Sequence, residues 1–310
     1  MRNFIMMEFL IVRFSCRMGD HSMKETTKKK TLMGLLFTGP SIILITIFLI
    51  VPIVMTIYMS FFDRTLKKNT YIGLENYRHL LSDATYHKAL GNTMLYALIL
   101  IPLIVIITMV LASIIIKKKE TVGSVYRGLF YLPTIASGVT VSIVWSWVFH
   151  PVSGIANFLL ETVGAAPVEW FSGRSTAFIC VCIVTFFVSI GQPIILYTAA
   201  MGGIDSAYYE AADLDGANAV TKFFRITMPE IRPTTLYVTI ITAINAFQIF
   251  IPVQLLTNGG PVNSTTSMMY ILYKTAFTDF KFGYAASMGV ILLIIIGTFS
   301  IVQFKMQSRD

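Results

Sequence analysis

Six stretches of this chain contain no Asp, Glu, Lys or Arg: residues 32–62, 89–116, 128–149, 175–204, 234–257 and 283–304. A helix needs about 20 apolar residues to cross a hydrocarbon layer of about 30 Å, and every one of these runs is long enough. The runs are continuous rather than alternating, so they do not read as strands of a membrane barrel. The expected fold is all-α, a polytopic membrane protein of six transmembrane helices. Charged residues make up only 13% of the chain, about half the share in an average soluble domain. The net charge of +8 does not indicate nucleic acid, because the basic residues cluster at the ends of the runs. That placement suits membrane lipid as the neighbour.

The basic residues also orient the chain. Lys24, Lys28, Lys29 and Lys30 precede the first run, Lys117, Lys118, Lys119 and Arg127 separate the second from the third, and Lys305 and Arg309 follow the last. The positive-inside bias puts these segments and both termini in the cytosol. From residue 23 on, 13 Lys and Arg fall inside and 8 outside, a moderate bias, since the first external loop is itself basic. The organisation read from this is a cytosolic tail at 1–31, a membrane domain at 32–305 and a short cytosolic tail at 306–310. Residues 1–22 hold no complete signal-peptide core. They read as a start-site extension or a disordered tail.

The most charged internal segment lies between the fourth and fifth runs. Residues 203–233, GIDSAYYEAADLDGANAVTKFFRITMPEIRP, hold Asp205, Glu210, Asp213, Asp215, Lys222, Arg225, Glu230 and Arg232. Ser206 can cap a helix start by accepting a free backbone N–H. Ala207, Ala211 and Leu214 then share a narrow apolar stripe on one helical face. Gly216 suits a helix stop, because glycine enters the left-handed region without a Cβ clash. A second short helix follows, with Phe223 and Ile226 on one side, and Pro229 and Pro233 limit its length. The segment predicts a helix–glycine–helix knob, polar on most faces.

Glu210-Ala211-Ala212, then Gly216, then Ile226 and Pro229 form a pattern that resembles the EAA loop of permease subunits in binding-protein-dependent ABC importers. Ile72-Gly73-Leu74-Glu75-Asn76-Tyr77, Gly128-Leu129-Phe130-Tyr131-Leu132-Pro133 and Leu255-Leu256-Thr257-Asn258-Gly259-Gly260-Pro261 are similar to segments of the sugar-importing branch, near the larger maltose-permease subunit. The likeness covers nearly all of 30–305. It departs at Met228, where leucine is usual. The resemblance implies a type I ABC importer permease fold in a bacterial cell membrane. It makes 203–233 the coupling loop that sits in a cleft of an ATPase, with Glu210, Ala211, Ala212, Gly216, Ile226 and Pro229 as its coupling residues. It further implies a second, similar permease subunit as a heterodimer partner, two ABC ATPase subunits and an extracytoplasmic sugar-binding protein. ATP and Mg would be used by the ATPases, with no cofactor held by this chain. The implied cargo is a sugar or oligosaccharide. The alternatives are another small solute, such as glycerol phosphate, or an ion-coupled secondary carrier.

The residues themselves limit the chemistry. No G-x-x-x-x-G-K-[ST] loop is present to cradle ATP phosphates, so the chain reads as no enzyme. No ionisable Asp, Glu, Lys, Arg or His lies within a run, whereas ion-coupled carriers commonly need an intramembrane carboxylate or an unwound carbonyl site. Cys16, Cys180 and Cys182 and the four histidines show no ligand spacing. What remains inside the runs is neutral and polar. Gln192 sits in Gly191-Gln192-Pro193, where proline bends a helix and frees a carbonyl. Tyr197, Thr242, Asn245 and Gln248 follow, and buried amides need partners or a wet cavity. These residues are candidates for a substrate path; an ordinary kink packed by interhelical hydrogen bonds is the competing reading. Trp145 fits an interfacial aromatic belt, with sugar stacking as its alternative role.

Overall fold

The computed structural model describes residues 24–307; the expectation for residues 1–22 lies outside them. The contacts divide the chain at Met55 into two units. The first begins with α1, Lys24–Ile45, which passes through one widened turn, Thr46–Ile50, into α2, Val51–Met59. Pro52 has no N–H to donate back along the helix, and a widened turn is a usual local adjustment to that loss. Helix ends at Met59. Phe62, expected inside the first run, belongs to a strand instead.

In the second unit, a small hairpin joins β1, Phe62–Arg64, to β2, Asn69–Tyr71, antiparallel with Phe62 opposite Tyr71. Asn76, in α3 (Glu75–Ser82), clamps it by donating to the carbonyls of Ser60 at 2.8 Å and Phe62 at 3.0 Å. The long helix α4, Ala84–Ile115, then starts on Asp83, whose carboxylate accepts from the N–H groups of Thr85 and Tyr86. Burial pushes the Asp83 carboxyl up, but the Tyr284 hydroxyl, these two N–H groups and nearby His79 outweigh it and hold it below its ordinary value.

Helix α4 is the axle of the fold. Ala89, Thr93, Tyr96, Leu100, Ile104, Thr108 and Ala112 are buried along it, at the three- and four-residue spacing of one helical face. Its threonines cause no polar penalty, because Thr93 and Thr108 donate to the carbonyls of Ala89 and Ile104 at 2.8 and 2.6 Å. Around it pack α8 (Arg174–Ser189), α9 (Gly191–Gly202), α13 (Arg232–Phe247) and α14 (Met268–Tyr273). One core cluster joins Tyr96 and Leu100 to Cys180, Val184 and Ile194, with the Tyr96 ring stacked on Phe178 at 4.3 Å. Another joins Ala97 to Ala246, Phe247 and Met288 of the final helix, α15, Phe282–Gln307.

Among the described residues three helices are long and apolar enough to cross a membrane, or up to five if each of two bent pairs counts as one span. Two expectations are corrected here. The run at 128–149 is not one continuous helix. Helix α5, Glu120–Ile135, stops at an extended Ala136, and α6, Gly138–Val148, leaves at 99° with Ser137 as its N-cap. The run at 234–257 is also broken: α13 ends at Phe247, and helix resumes only beyond Phe250. The fourth run bends by 43° between α8 and α9, at the glycine and proline that mark it in the sequence.

Candidate functional site

Two features stand apart from ordinary packing. The first is the polar knob between α9 and α13. Helix α10, Ser206–Leu214, buries none of its residues. Its N-cap is Asp205, not Ser206; the Asp205 carboxylate accepts from the Ala207 N–H at 3.0 Å. Aspartate and serine cap equally well, and here the helix begins one residue earlier than a Ser206 cap would set it. Gly216 has φ +71. The N–H groups of Gly216 and Ala217 donate to Asp213 and Ala212 carbonyls at 3.1 and 2.9 Å, which closes the end of the helix. Asn218 caps α11, Ala219–Lys222, and a widened turn, Phe223–Thr227, leads into α12, Met228–Glu230.

Two side-chain ties hold the halves of the knob together. The Tyr209 and Thr227 hydroxyls meet at 2.8 Å, and Lys222 pairs with Asp213. Glu210, Ala211 and Pro229 are exposed, and Ala212 and Ile226 are half-buried. Ala207, Ala211 and Leu214 face away from the rest of the chain, with Leu214 91% exposed. A helix with no fully buried residue gains little from packing on its own chain, and this face is left open.

The second feature is a pocket of about 500 Å³ lined by Gln192, Asn245 and Gln248. Its walls also carry the hydroxyls of Thr134, Thr185 and Ser189 and the apolar Val188, Phe250, Pro252 and Met269. No ionisable residue lines it. Each broken helix supplies part of the wall. Gly191, at the 43° bend, lets α9 pass against α5, since a Cβ there would lie 2.6 Å from the Phe130 carbonyl and 2.8 Å from the Tyr131 Cα. Thr134 donates to the Val188 carbonyl at 3.0 Å across the same crossing. The interruption after Phe247 brings Gln248 and Phe250 to the wall.

The other candidates lie elsewhere. Tyr197 is fully buried with Met109, Ala112, Met201, Ile231 and Val238, where α4, α9 and α13 meet. Thr242 is buried. Trp145 is half-buried, its ring 5.0 Å from Phe187 and 5.3 Å from Phe149. Thr134, Thr185 and Ser189 were not among the candidates. Their only sequence signal is a hydroxyl in an otherwise apolar run. Among the described residues no His, Cys, Asp and Glu group could hold a metal ion.

Residues 101–309 match the family described as binding-protein-dependent transport system inner membrane component. The chain belongs to that family. It is 32% identical over 275 residues to the probable ABC transporter permease protein YurN of Bacillus subtilis, covering 87% of this chain and 94% of the relative. It is 28% identical over 273 residues to the arabinooligosaccharides transport system permease protein AraP of the same organism, with 87% of each covered. The lactose transport system permease protein LacF of Rhizobium radiobacter is 29% identical over 276 residues, 87% of this chain and 92% of that one. In fold, this inner-membrane component matches a bacterial ABC transporter involved in import of the acidic polysaccharide alginate. The TM-score is 0.80 at 22% identity, over 92% of this chain and 98% of the other. The type I importer permease architecture expected from the sequence is therefore present.

Proposed function

We propose that the chain is the permease subunit of an ATP-driven importer, forming the membrane path for a sugar or oligosaccharide. The observation that carries this is the placement of knob and pocket at opposite ends of the same two helices. Helix α9 runs from Gln192 in the pocket to the start of the knob, and α13 runs from the end of the knob to Asn245 and Gln248. Both pack along α4. A push on a rigid knob reaches the pocket walls without an intervening flexible joint, and access changes by rigid-body rocking.

The engine is assigned to partners. Two ATPase subunits receive the coupling loops of this chain and of a second permease, and use the ATP and Mg. Glu210 supplies charge at the ATPase cleft, Ala211 and Ala212 allow close approach, Gly216 sets the turn, and Ile226 and Pro229 seat the second helix. An extracytoplasmic binding protein delivers the cargo, and both termini face the cytosol of a bacterial cell. Relatives named for arabinooligosaccharides and lactose support a saccharide. So does a pocket of amides and hydroxyls beside apolar surface, which suits sugar hydroxyls and ring faces. A phosphorylated solute fits less well, because the pocket holds no cation to offset its charge.

The test is uptake of tritiated lactose and arabino-oligosaccharides into proteoliposomes containing both permeases, the ATPase and the binding protein. Uptake is expected only with ATP inside and loaded binding protein outside, and is expected to fall in Asn245→Ala/Gln248→Ala. Uptake driven by an ion gradient without ATP would refute the reading.

A further inference from the structure

A run of four buried hydroxyl residues, Ser264, Thr265, Thr266 and Ser267, sits between the pocket wall and α14. Burying such a run is costly unless its groups find partners. Three of the four find them in the neighbouring backbone, while the Ser264 hydroxyl has none. Thr265 donates to the Gly260 carbonyl at 2.9 Å, and Thr266 to that of Gly259 at 3.0 Å. Helix α4 then bolts the loop down from the other side. Asn92 donates to the carbonyls of Asn263 and Thr266, both at 2.9 Å, and Tyr96 to that of Thr265 at 3.1 Å. The Thr93 hydroxyl accepts from the Met268 N–H at 2.8 Å.

Ser267 is the one member of this run that reaches the pocket wall. Its hydroxyl donates to the Ile249 carbonyl at 2.5 Å and accepts from the Tyr270 N–H at 3.2 Å, capping α14. Ile249 lies in the non-helical break between Gln248 and Phe250, all three of which line the pocket, and Met269 lines it from α14. A single hydroxyl thus ties the non-helical strip of wall to the start of α14.

We propose that Ser267 is a positioning residue for the transport pocket, setting the direction of Gln248 and Phe250 through the Ile249 carbonyl, with Asn92, Thr93 and Tyr96 as its anchor. This rests on the reading of the pocket as the cargo path. Ser267 touches no cargo; it acts through the wall.

The experiment uses the complete reconstituted importer with Ser267→Ala, Ser267→Thr and Asn245→Ala/Gln248→Ala. Two readouts are taken: tritiated lactose or arabino-oligosaccharide carried per ATP hydrolysed, and deuterium exchange of the amides at 249–254. Ser267→Ala is expected to lower cargo carried per ATP about tenfold, equivalent to about 1.4 kcal/mol, while ATP hydrolysis stimulated by the loaded binding protein changes less than about twofold. Exchange at 249–254 is expected to rise, and Ser267→Thr, which keeps the hydroxyl, to restore both. Unchanged exchange in Ser267→Ala overturns the positioning role. So does a parallel loss of transport and hydrolysis that threonine does not rescue. Raised exchange in Ser267→Ala together with normal transport by Asn245→Ala/Gln248→Ala would leave the positioning intact and refute the pocket as the path.

Discussion

Substitution of Gly216 isolates the contribution of the turn in the knob. Its φ is +71, and a Cβ added there would meet nothing within 4 Å. The cost of a side chain is therefore backbone strain alone, not a clash with neighbours. An L-residue in the left-handed region costs about 1–2 kcal/mol, a factor of about 5–30 in the balance between formed and unformed turn. Asparagine tolerates that region, so Gly216→Asn is expected to retain most uptake. Gly216→Ala should fall by roughly the 5–30-fold just given. Gly216→Val should fall further, since a β-branched residue is a stronger outlier there. Gly216→Pro should abolish uptake, because proline fixes φ near −65° and removes the N–H that Asp213 accepts. The assay is initial-rate uptake in proteoliposomes, with membrane insertion checked separately and expected to be unchanged in every variant. Val at the wild-type rate, or Asn no better than Val, would refute the assignment of the turn to coupling.

Other perturbations test the frame. Gly191→Ala should lower the thermal midpoint of the detergent-solubilised protein by the equivalent of about 1–3 kcal/mol, the range for forced overpacking, because its Cβ would meet the α5 backbone; an unchanged midpoint would contradict that crossing. Asn157, in α7 (Ile155–Thr162), accepts from the Val168 N–H and the Trp170 indole N–H and donates to the Pro151 and Val168 carbonyls. Asn157→Leu should leave these groups unpaired and open the 150–173 loop to proteolysis, with a red shift in tryptophan fluorescence. Asp83 has its carboxyl held below the ordinary 3.8. A depressed carboxyl contributes stability above its unfolded value and loses it as the pH falls through its folded one. The wild type should lose more thermal stability than Asp83→Asn on going from about pH 5 to below about pH 3.8, and equal losses would refute the contribution.

What the sequence made legible was whatever depends on local chemistry. Uncharged runs mark membrane helices, Gly216 marks a helix end, and Gly191 and Pro193 mark a bend. The elbow of 99° was hidden because Ala136 and Ser137 are as apolar or small as their neighbours, and hydropathy has no direction. The break after Phe247 was hidden for the same reason. Nothing in the sequence pattern marked the buried run at Ser264–Ser267. Its partners on α4 lie 169 and 174 positions away, and no local pattern announces contacts at that distance. Gln192, Asn245 and Gln248 could be named as costly amides, but only the packing gathers them into one pocket and sends Tyr197 into the core between α4, α9 and α13.

The two arms that root the knob are unequal. Helix α9 has 12 residues and α13 has 16, about 18 and 24 Å at 1.5 Å per residue. A tilt shared by both therefore carries the Asn245 side of the corridor about a third further than the Gln192 side. On the proposed reading of the pocket as the cargo path, its two walls would shear past each other rather than simply part.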